Sequence, residues 1–377
     1  MKEIMGNYFG ALIESMKALR YPMSYLSAEF NDVEVWQAKA RTKVQELLLF
    51  NPAKIPFDEQ IHDVYEHNGI SYTHISYAEP FGPRTEGLLL RPAEATGTLP
   101  AILAFHDHGG FKYYGKEKIT YPKNHPEIMN TYKDHYYGGR AWAEEIARRG
   151  YIVFVPDMFL WGSRKMDINA VSEVYVKDVL SKPVDSDAHI AAYNDFAAKH
   201  EDHIAKTLYE AGLIWPGITV AGDRRALDFL ASQPGVDADN ISCGGLSGGG
   251  LRTVLLAAMD DRIKCSVCVG FMSTASELAA YKVYTHTWML YVPGLTAIMD
   301  FPDLYSMHGK KPTMVLYDSD DQLYTTAGQE GAHERLTRVY EKMGAPELYR
   351  GHFFPGPHKF DIPMQELAFD FYDAWMK

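Results

Sequence analysis

The sequence predicts an α/β protein with a mostly parallel central sheet flanked by helices. Three observations predict it. Short apolar runs such as Pro100-Ala-Ile-Leu-Ala-Phe105 and Tyr151-Ile-Val-Phe-Val155 have the texture of strands buried on both faces. These runs alternate with helical segments, which implies parallel strands joined by crossover helices. The residues suited to chemistry fall just after strands, where such sheets bind ligands.

From the N-terminus, residues 1–60 read as a helical extension rather than an independent domain. Tyr25 to Leu49 sets Val33, Trp36, Ala40, Val44, Leu47 and Leu48 at helical spacing, and Pro52 and Pro56 end the pattern. The main domain then spans 61–377. Ile70 to Tyr77 and Gly87 to Leu90 read as antiparallel starting strands. Ala141 to Arg149 reads as a helix stopped by Gly150. Residues 165–215 are polar and helical and interrupt the alternation, as an insertion would. Arg224 to Ser232 is a helix, Ile241 to Gly244 a strand, and Gly249 to Met259 a helix. Strands at Ile263 to Val269 and Thr313 to Tyr317 bracket a second insertion, 271–310. A helix over Glu330 to Met343, a strand over Glu347 to Phe353 and a closing helix over Met364 to Met376 complete the order.

Composition narrows the function. A chain of 377 residues with 46% hydrophobic and 23% charged residues has ample material for one large domain with insertions or for two modest domains. A formal charge of −12 argues against nucleic acid or an anionic membrane as the main partner. No run reaches the roughly 18 apolar residues of a membrane span, and no apolar segment of a secretory signal follows Met1-Lys2-Glu3. Cys243, Cys265 and Cys268 lie in strand-like segments and read as buried thiols, not a redox pair. The expected compartment is the reducing cytoplasm.

The chemistry starts at Gly245-Leu246-Ser247-Gly248-Gly249, a G-x-S-x-G between a strand and a helix. A serine there sits on a sharp turn that lifts its hydroxyl above the sheet. Side chains two residues before and after would collide, so glycine occupies both places. The next helix points its N-terminus at the site and favours a developing negative charge. A phosphate-cradling loop would need Gly-Lys-Ser/Thr, which is absent.

Such a serine needs an acid and then a histidine, in that chain order. Asp318-Ser319-Asp320-Asp321 leaves the strand ending at Tyr317. Asp321 is the first choice for the acid and Asp320 the second. His358 follows Pro355-Gly356-Pro357 in a loop after the last strand and suits the base, whereas His352 falls inside the strand and reads as structural. On the other side, His106-Asp107-His108-Gly109-Gly110 follows the strand ending at Phe105. The H-x-H pair lacks the continuation of a dinuclear metal site, so no metal is expected. The expected oxyanion hole is the backbone N–H of His108, or alternatively Gly109, together with that of Gly248.

At this point the chain resembles the α/β-hydrolase superfamily from about residue 85 onward. Within it, the chain looks like the dienelactone-hydrolase-like and acetyl xylan esterase-like group. Phe105 to Gly110 resembles that group's oxyanion loop, although Asp107 stands where the group has glycine. Asp223-Arg224-Arg225-Ala226-Leu227-Asp228-Phe229-Leu230, with Pro234-Gly235-Val236-Asp237, resembles its helix before the nucleophile strand. Ser247 replaces the cysteine of true dienelactone hydrolases and argues against that activity. The resemblance implies a carboxylesterase or carbohydrate deacetylase without organic cofactor. The expected partner is a small-molecule or carbohydrate ester.

For the substrate, Trp161 and Arg164 are expected near the mouth of the site, as a stacking ring and a carboxylate partner; buried packing is the competing reading for each. Tyr113-Tyr114 and Tyr281 to Tyr291, with Trp288, suit pocket walls or a homo-oligomer contact. A peptidase of the same fold and a catalytically silent binding module are the alternative functions. The intact Ser, Asp, His order argues against the second.

Overall fold

The computed structural model describes residues 4–377. A nine-stranded sheet has the order β1-β2-β3-β5-β4-β6-β7-β8-β9. β1 (Gln60–His67), β2 (Ile70–Tyr77) and β3 (Thr85–Pro92) form an antiparallel start, and β3 pairs antiparallel with β5 (Ile152–Pro156). From β5 the pairing is parallel through β4 (Leu99–Phe105), β6 (Val236–Leu246), β7 (Ile263–Val269), β8 (Thr313–Asp318) and β9 (Tyr349–Phe354).

Helices cover both faces because the parallel strands are apolar on both. β5, for example, is buried at every position. One face carries α2 (Val33–Leu48), α8 (Trp215–Ala231), α9 (Gly248–Met259) and α13 (Thr326–Lys342). The other carries α3 (Ile128–Tyr137), α4 (Trp142–Arg148) and α14 (Ile362–Met376). The N-terminal segment holds α1 (Phe9–Lys17) and α2. Asp32 caps α2 by accepting from the Val35 N–H at 3.0 Å. Trp36, Ala40, Val44 and Leu48 then form one fully buried stripe. Gln37 and Arg41 donate to the Met307 and Ala258 carbonyls at 2.8 and 2.7 Å, which fastens the extension to the main domain.

The first insertion holds α5 (Glu173–Leu180), α6 (Asp187–Lys199) and α7 (Glu201–Glu210) around a small cluster of Tyr113, Val176, Val179, Ile190, Tyr193 and Phe196. The second holds the short helices α10 (Ala275–Glu277), α11 (Leu295–Ile298) and α12 (Phe301–Ser306). Two expectations need correction. β1 was not expected, because its exposed edge carries few apolar residues: Ile61 and Val64 are 60% and 59% exposed. Helix α8 begins nine residues before Arg224, because Pro216 sits in its first turn, where a missing N–H costs nothing. Among the described residues no helix is long and apolar enough to cross a membrane. All three cysteines are buried and free.

Candidate active site

Ser247 joins β6 to α9 with φ +58° and ψ −116°, a backbone conformation that β-carbon-bearing residues rarely adopt. The surrounding backbone holds it there. The Ser247 N–H donates to the Val269 carbonyl at 2.8 Å, and the Ser247 carbonyl accepts from Leu251 N–H at 2.9 Å. The flanking glycines answer close approach. A Cβ on Gly245 would lie 2.3 Å from the Phe105 carbonyl oxygen, and one on Gly249 2.4 Å from the same atom. The elbow is thus pressed against the end of β4, where the next functional loop begins.

His358 donates from Nδ1 to Asp321 Oδ2 at 2.6 Å. Burial pushes the His358 pKa down, but the hydrogen bond and charge of Asp321 outweigh it, and the value ends above the ordinary one. Nε2, the nitrogen turned away from Asp321, is buried and has no protein partner. The three carboxylates of the loop take separate tasks. Asp320 braces the Pro-Gly-Pro turn: its Oδ2 accepts from Gly356 N–H at 2.9 Å. Asp318 is buried and accepts from Lys359 N–H at 3.0 Å through Oδ2, while Oδ1 is unpartnered. Burial raises the Asp318 pKa to about 7, against the Lys359 hydrogen bond. Asp318, Asp321 and His358 have ligand-type atoms within 4.8 Å of one another. The 2.6 Å contact between His358 and Asp321 is shorter than the roughly 3.4 Å between two ligands of a tetrahedral zinc, so this pair is hydrogen-bonded and not spaced for an ion. His352 lies on β9, outside this cluster.

The loop after β4 is held by charges beneath it. Asp107 points inward and accepts from the Tyr132 and Tyr137 hydroxyls, with Lys118 Nζ 3.6 Å away. Lys118, fully buried, donates to the Asp107 and His108 carbonyls, each at 2.9 Å. Burial lowers its pKa to about 8, with Asp107 opposing the fall. Trp161 Nε1–H also donates to the His108 carbonyl, at 3.2 Å. Two donors, Lys118 and Trp161, thus hold the loop carbonyls inward through three hydrogen bonds, and the His108 nitrogen lies beside Gly248, where a Cβ would meet it at 2.8 Å. Gly110 is not available for the same purpose, since its N–H donates to His108 Nδ1 at 3.0 Å. Gly109 has φ +53° and could carry no side chain, because a Cβ would strike the Tyr132 hydroxyl.

Above the loop, Glu201 at the start of α7 ties three elements together. It accepts from His108 Nε2–H at 2.9 Å, from the Lys112 ammonium, and from Thr287 Oγ1 at 2.7 Å. Burial raises its pKa, but His108 and Lys112 outweigh it and bring the value down to about 2.

Ser247, Gly248, His108, Gly109 and His358 line one cavity of about 310 Å³. Leu251, Phe271, Met289, Leu290 and Tyr324 supply its apolar walls, and Thr285, His286 and Thr287 of the second insertion its roof. Trp161 and Arg164 are not in it, which corrects their expected place at the mouth. The turn Gly162–Arg164 folds back under β3, where Ser163 Oγ accepts from Glu86 N–H at 2.9 Å. Trp161 is thereby fully buried, edge to face with His108 at 4.9 Å, and supports the loop from below. Arg164 is 3% exposed and donates to the Phe81 carbonyl at 2.6 Å. Glu201 and Lys118 escaped sequence reading, since they belong to no motif, whereas His286 falls within the Tyr281 to Tyr291 segment expected as a pocket wall.

No protein-family model matches the chain. Over 273 residues it is 26% identical to "Putative hydrolase YtaP" of Bacillus subtilis, a match covering 70% of this chain and 76% of that protein. Among solved structures, it is similar to a putative acetyl xylan esterase of Bacteroides fragilis, with TM-score 0.71, 16% identity, and coverage of 94% of this chain and 84% of that one. It is also similar to a glucuronoyl esterase of Solibacter usitatus, with TM-score 0.61, 16% identity, and coverage of 96% and 99%. These likenesses show the fold of this chain, the α/β-hydrolase fold.

Proposed function

We propose that this α/β-hydrolase-fold chain is a serine esterase that cleaves small carboxylic esters, short acyl groups on carbohydrate-like alcohols above all, through an acyl-enzyme. The observation that carries the reading is Ser247, held at positive φ on the floor of the cavity that His358, already bonded to Asp321, also lines.

Ser247 Oγ attacks the ester carbonyl carbon as His358 Nε2 takes the hydroxyl proton. Apo hydrogen bonds of this kind tighten when substrate excludes water, and Nε2 is free to receive the proton. The carbonyl oxygen becomes an oxyanion held by the N–H groups of Gly248 and His108, the first of them at the positive end of α9. His358 then protonates the leaving alcohol. The resulting acyl-serine is attacked by water, whose proton passes to His358; collapse releases the carboxylic acid as His358 returns that proton to Ser247 Oγ. Asp321 keeps the proton on Nδ1 and stabilises the imidazolium. A roughly 310 Å³ space with Leu246, Leu251, Phe271 and Met289 on its walls suits a short acyl chain. The esterase names of the structural neighbours support the same class.

The test is labelling with a fluorophosphonate and turnover of p-nitrophenyl acetate. Both should vanish in Ser247→Ala while the folded signal remains. Full turnover by that variant would refute the assignment.

A further inference from the structure

The second insertion carries a histidine that the mechanism above does not use. His286 lines the cavity that holds Ser247 and His358. Its two ring nitrogens differ. Nδ1 lies 3.1 Å from the Lys282 carbonyl oxygen and 2.8 Å from Thr285 Oγ1. Thr285 Oγ1 stands 2.8 Å from the same Lys282 oxygen. A carbonyl only accepts, so the threonine proton points to it, and Nδ1 carries a hydrogen too. Nε2 is buried without a protein partner. In a neutral imidazole protonated at Nδ1, Nε2 holds a lone pair. The ring stays neutral near pH 7: burial lowers its pKa, and His358 and His108 add to the fall against the Lys282 carbonyl and Asp321. Tyr324 holds the ring edge to face, at 5.0 Å and 65°.

The neighbouring roof hydroxyls are committed, Thr285 to the Lys282 carbonyl and Thr287 to Glu201. His286, a residue lining this largely apolar chamber, therefore carries an unused buried acceptor. Leaving such an acceptor empty is costly, so the occupant should bring a donor. A carboxylate or an ester oxygen brings lone pairs and is repelled by Nε2. A hydroxyl donates to it.

We propose that His286 is a specificity-determining residue whose Nε2 accepts a hydrogen bond from a free hydroxyl of the substrate. The site then selects monoacylated polyhydroxy alcohols, partly acylated sugars being the class, over esters that lack the donor. This rests on the esterase reading of the same site.

The test compares kcat/KM on monoacetylated methyl xylosides and on deoxy analogues that each lack one ring hydroxyl. The wild type should prefer the hydroxylated substrate at one position by about five- to ten-fold. In His286→Phe, which keeps a ring against Tyr324 but has no acceptor, the preference should fall to near unity. His286→Gln, whose carbonyl can accept, should recover part of it. Each preference is a ratio measured on one preparation, so the folded fraction cancels. An unchanged ratio in His286→Phe, or no wild-type preference at any position, overturns the proposal. A wild-type protein that binds no fluorophosphonate and cleaves no ester overturns the esterase reading instead, and this inference falls with it.

Discussion

Glu201 offers the sharpest test of how the insertions serve the site. Its carboxylate holds His108 of the oxyanion loop, Lys112 just beyond that loop, and Thr287 of the second insertion. In Glu201→Ala, Lys112 keeps a weak hydrogen bond, its Nζ 3.4 Å from the Ala197 carbonyl, and the Trp161 and Trp215 rings at 5.2 and 5.8 Å, but no anionic partner, with its side chain 2% exposed. Breaking a buried pair by removing one partner costs about 3–5 kcal/mol, because the remaining charge is left uncompensated. For a chain of this size that corresponds to a fall in Tm of about 4–6 °C. Lys112 already has a lowered pKa from burial, which Glu201 opposes. Without Glu201 the folded value drops further, the unfolded chain holds more protons over the window between the two values, and the stability of the variant rises with pH there. Activity suffers separately. His108 loses the partner that orients its ring, and its N–H is the proposed oxyanion donor. The loss in kcat should lie between about ten-fold and the 10²–10³-fold known for deleting one such donor. Urea unfolding at several pH values and turnover of p-nitrophenyl acetate measure both effects, with Glu201→Gln expected to fall between wild type and alanine. A stability loss under about 1 kcal/mol with kcat within three-fold of wild type would refute the clamp.

Three further outcomes are expected. Since the His358 pKa lies above its ordinary 6.5 and the base must be neutral, kcat/KM should fall as pH drops through a value above 6.5; Asp321→Asn should move that limb to lower pH and cut kcat by about 10⁴-fold. Asp318 keeps its proton up to about pH 7 in the folded state but loses it near 3.8 when unfolded, so the unfolded chain binds fewer protons between those values and stability falls as pH rises through them. Asp318→Asn removes that dependence, and its Tm advantage over wild type should grow by a few degrees from pH 5 to pH 8 in thermal melts. Gly249→Ala would place a Cβ 2.4 Å from the Phe105 carbonyl oxygen, forcing α9 off β4; a loss of about 1–3 kcal/mol in urea and a drop in kcat should accompany each other, and a fully active, equally stable variant would contradict the close packing of the elbow.

The parts legible in the sequence are those encoded locally. The elbow is written in five consecutive residues, because its steric demand falls on positions two before and two after Ser247. His358 is recognisable from the rigid Pro355-Gly356-Pro357 approach, and Asp321 from its strand exit, although Asp320 competed until the structure engaged it with Gly356. The loop after β4 is legible from its glycines. What stabilises it could not be read. Lys118 lies ten residues beyond His108, Tyr132 and Tyr137 on a following helix, and Glu201 more than ninety residues on, and no spacing rule relates them. Trp161 and Arg164 misled for a related reason. Their position after β5 pointed to the mouth, but Gly162 at φ +55° turns the chain back, and the ring and guanidinium meet backbone carbonyls instead of substrate.

Asp107 shows what those hidden contacts are for. A glycine in its place would let the loop turn freely; an aspartate with a fully engaged carboxylate makes the turn rigid. Burial raises the pKa of that carboxylate, but Lys118 and the two tyrosine hydroxyls outweigh it and hold the group ionised. The charge in turn keeps Lys118 protonated enough to draw both loop carbonyls inward. The His108 nitrogen lies beside Gly248, 2.8 Å from where a Cβ there would stand, so the proposed oxyanion donor is set before any substrate arrives. An oxyanion site acts through dipoles that need no reorganisation at the moment of reaction. Buried charges placed beneath the loop supply that rigidity to the proposed oxyanion site. The anionic Asp107 near the hole would by itself oppose an oxyanion, and pairing it with Lys118 and two hydroxyl donors cancels the penalty while retaining the anchor.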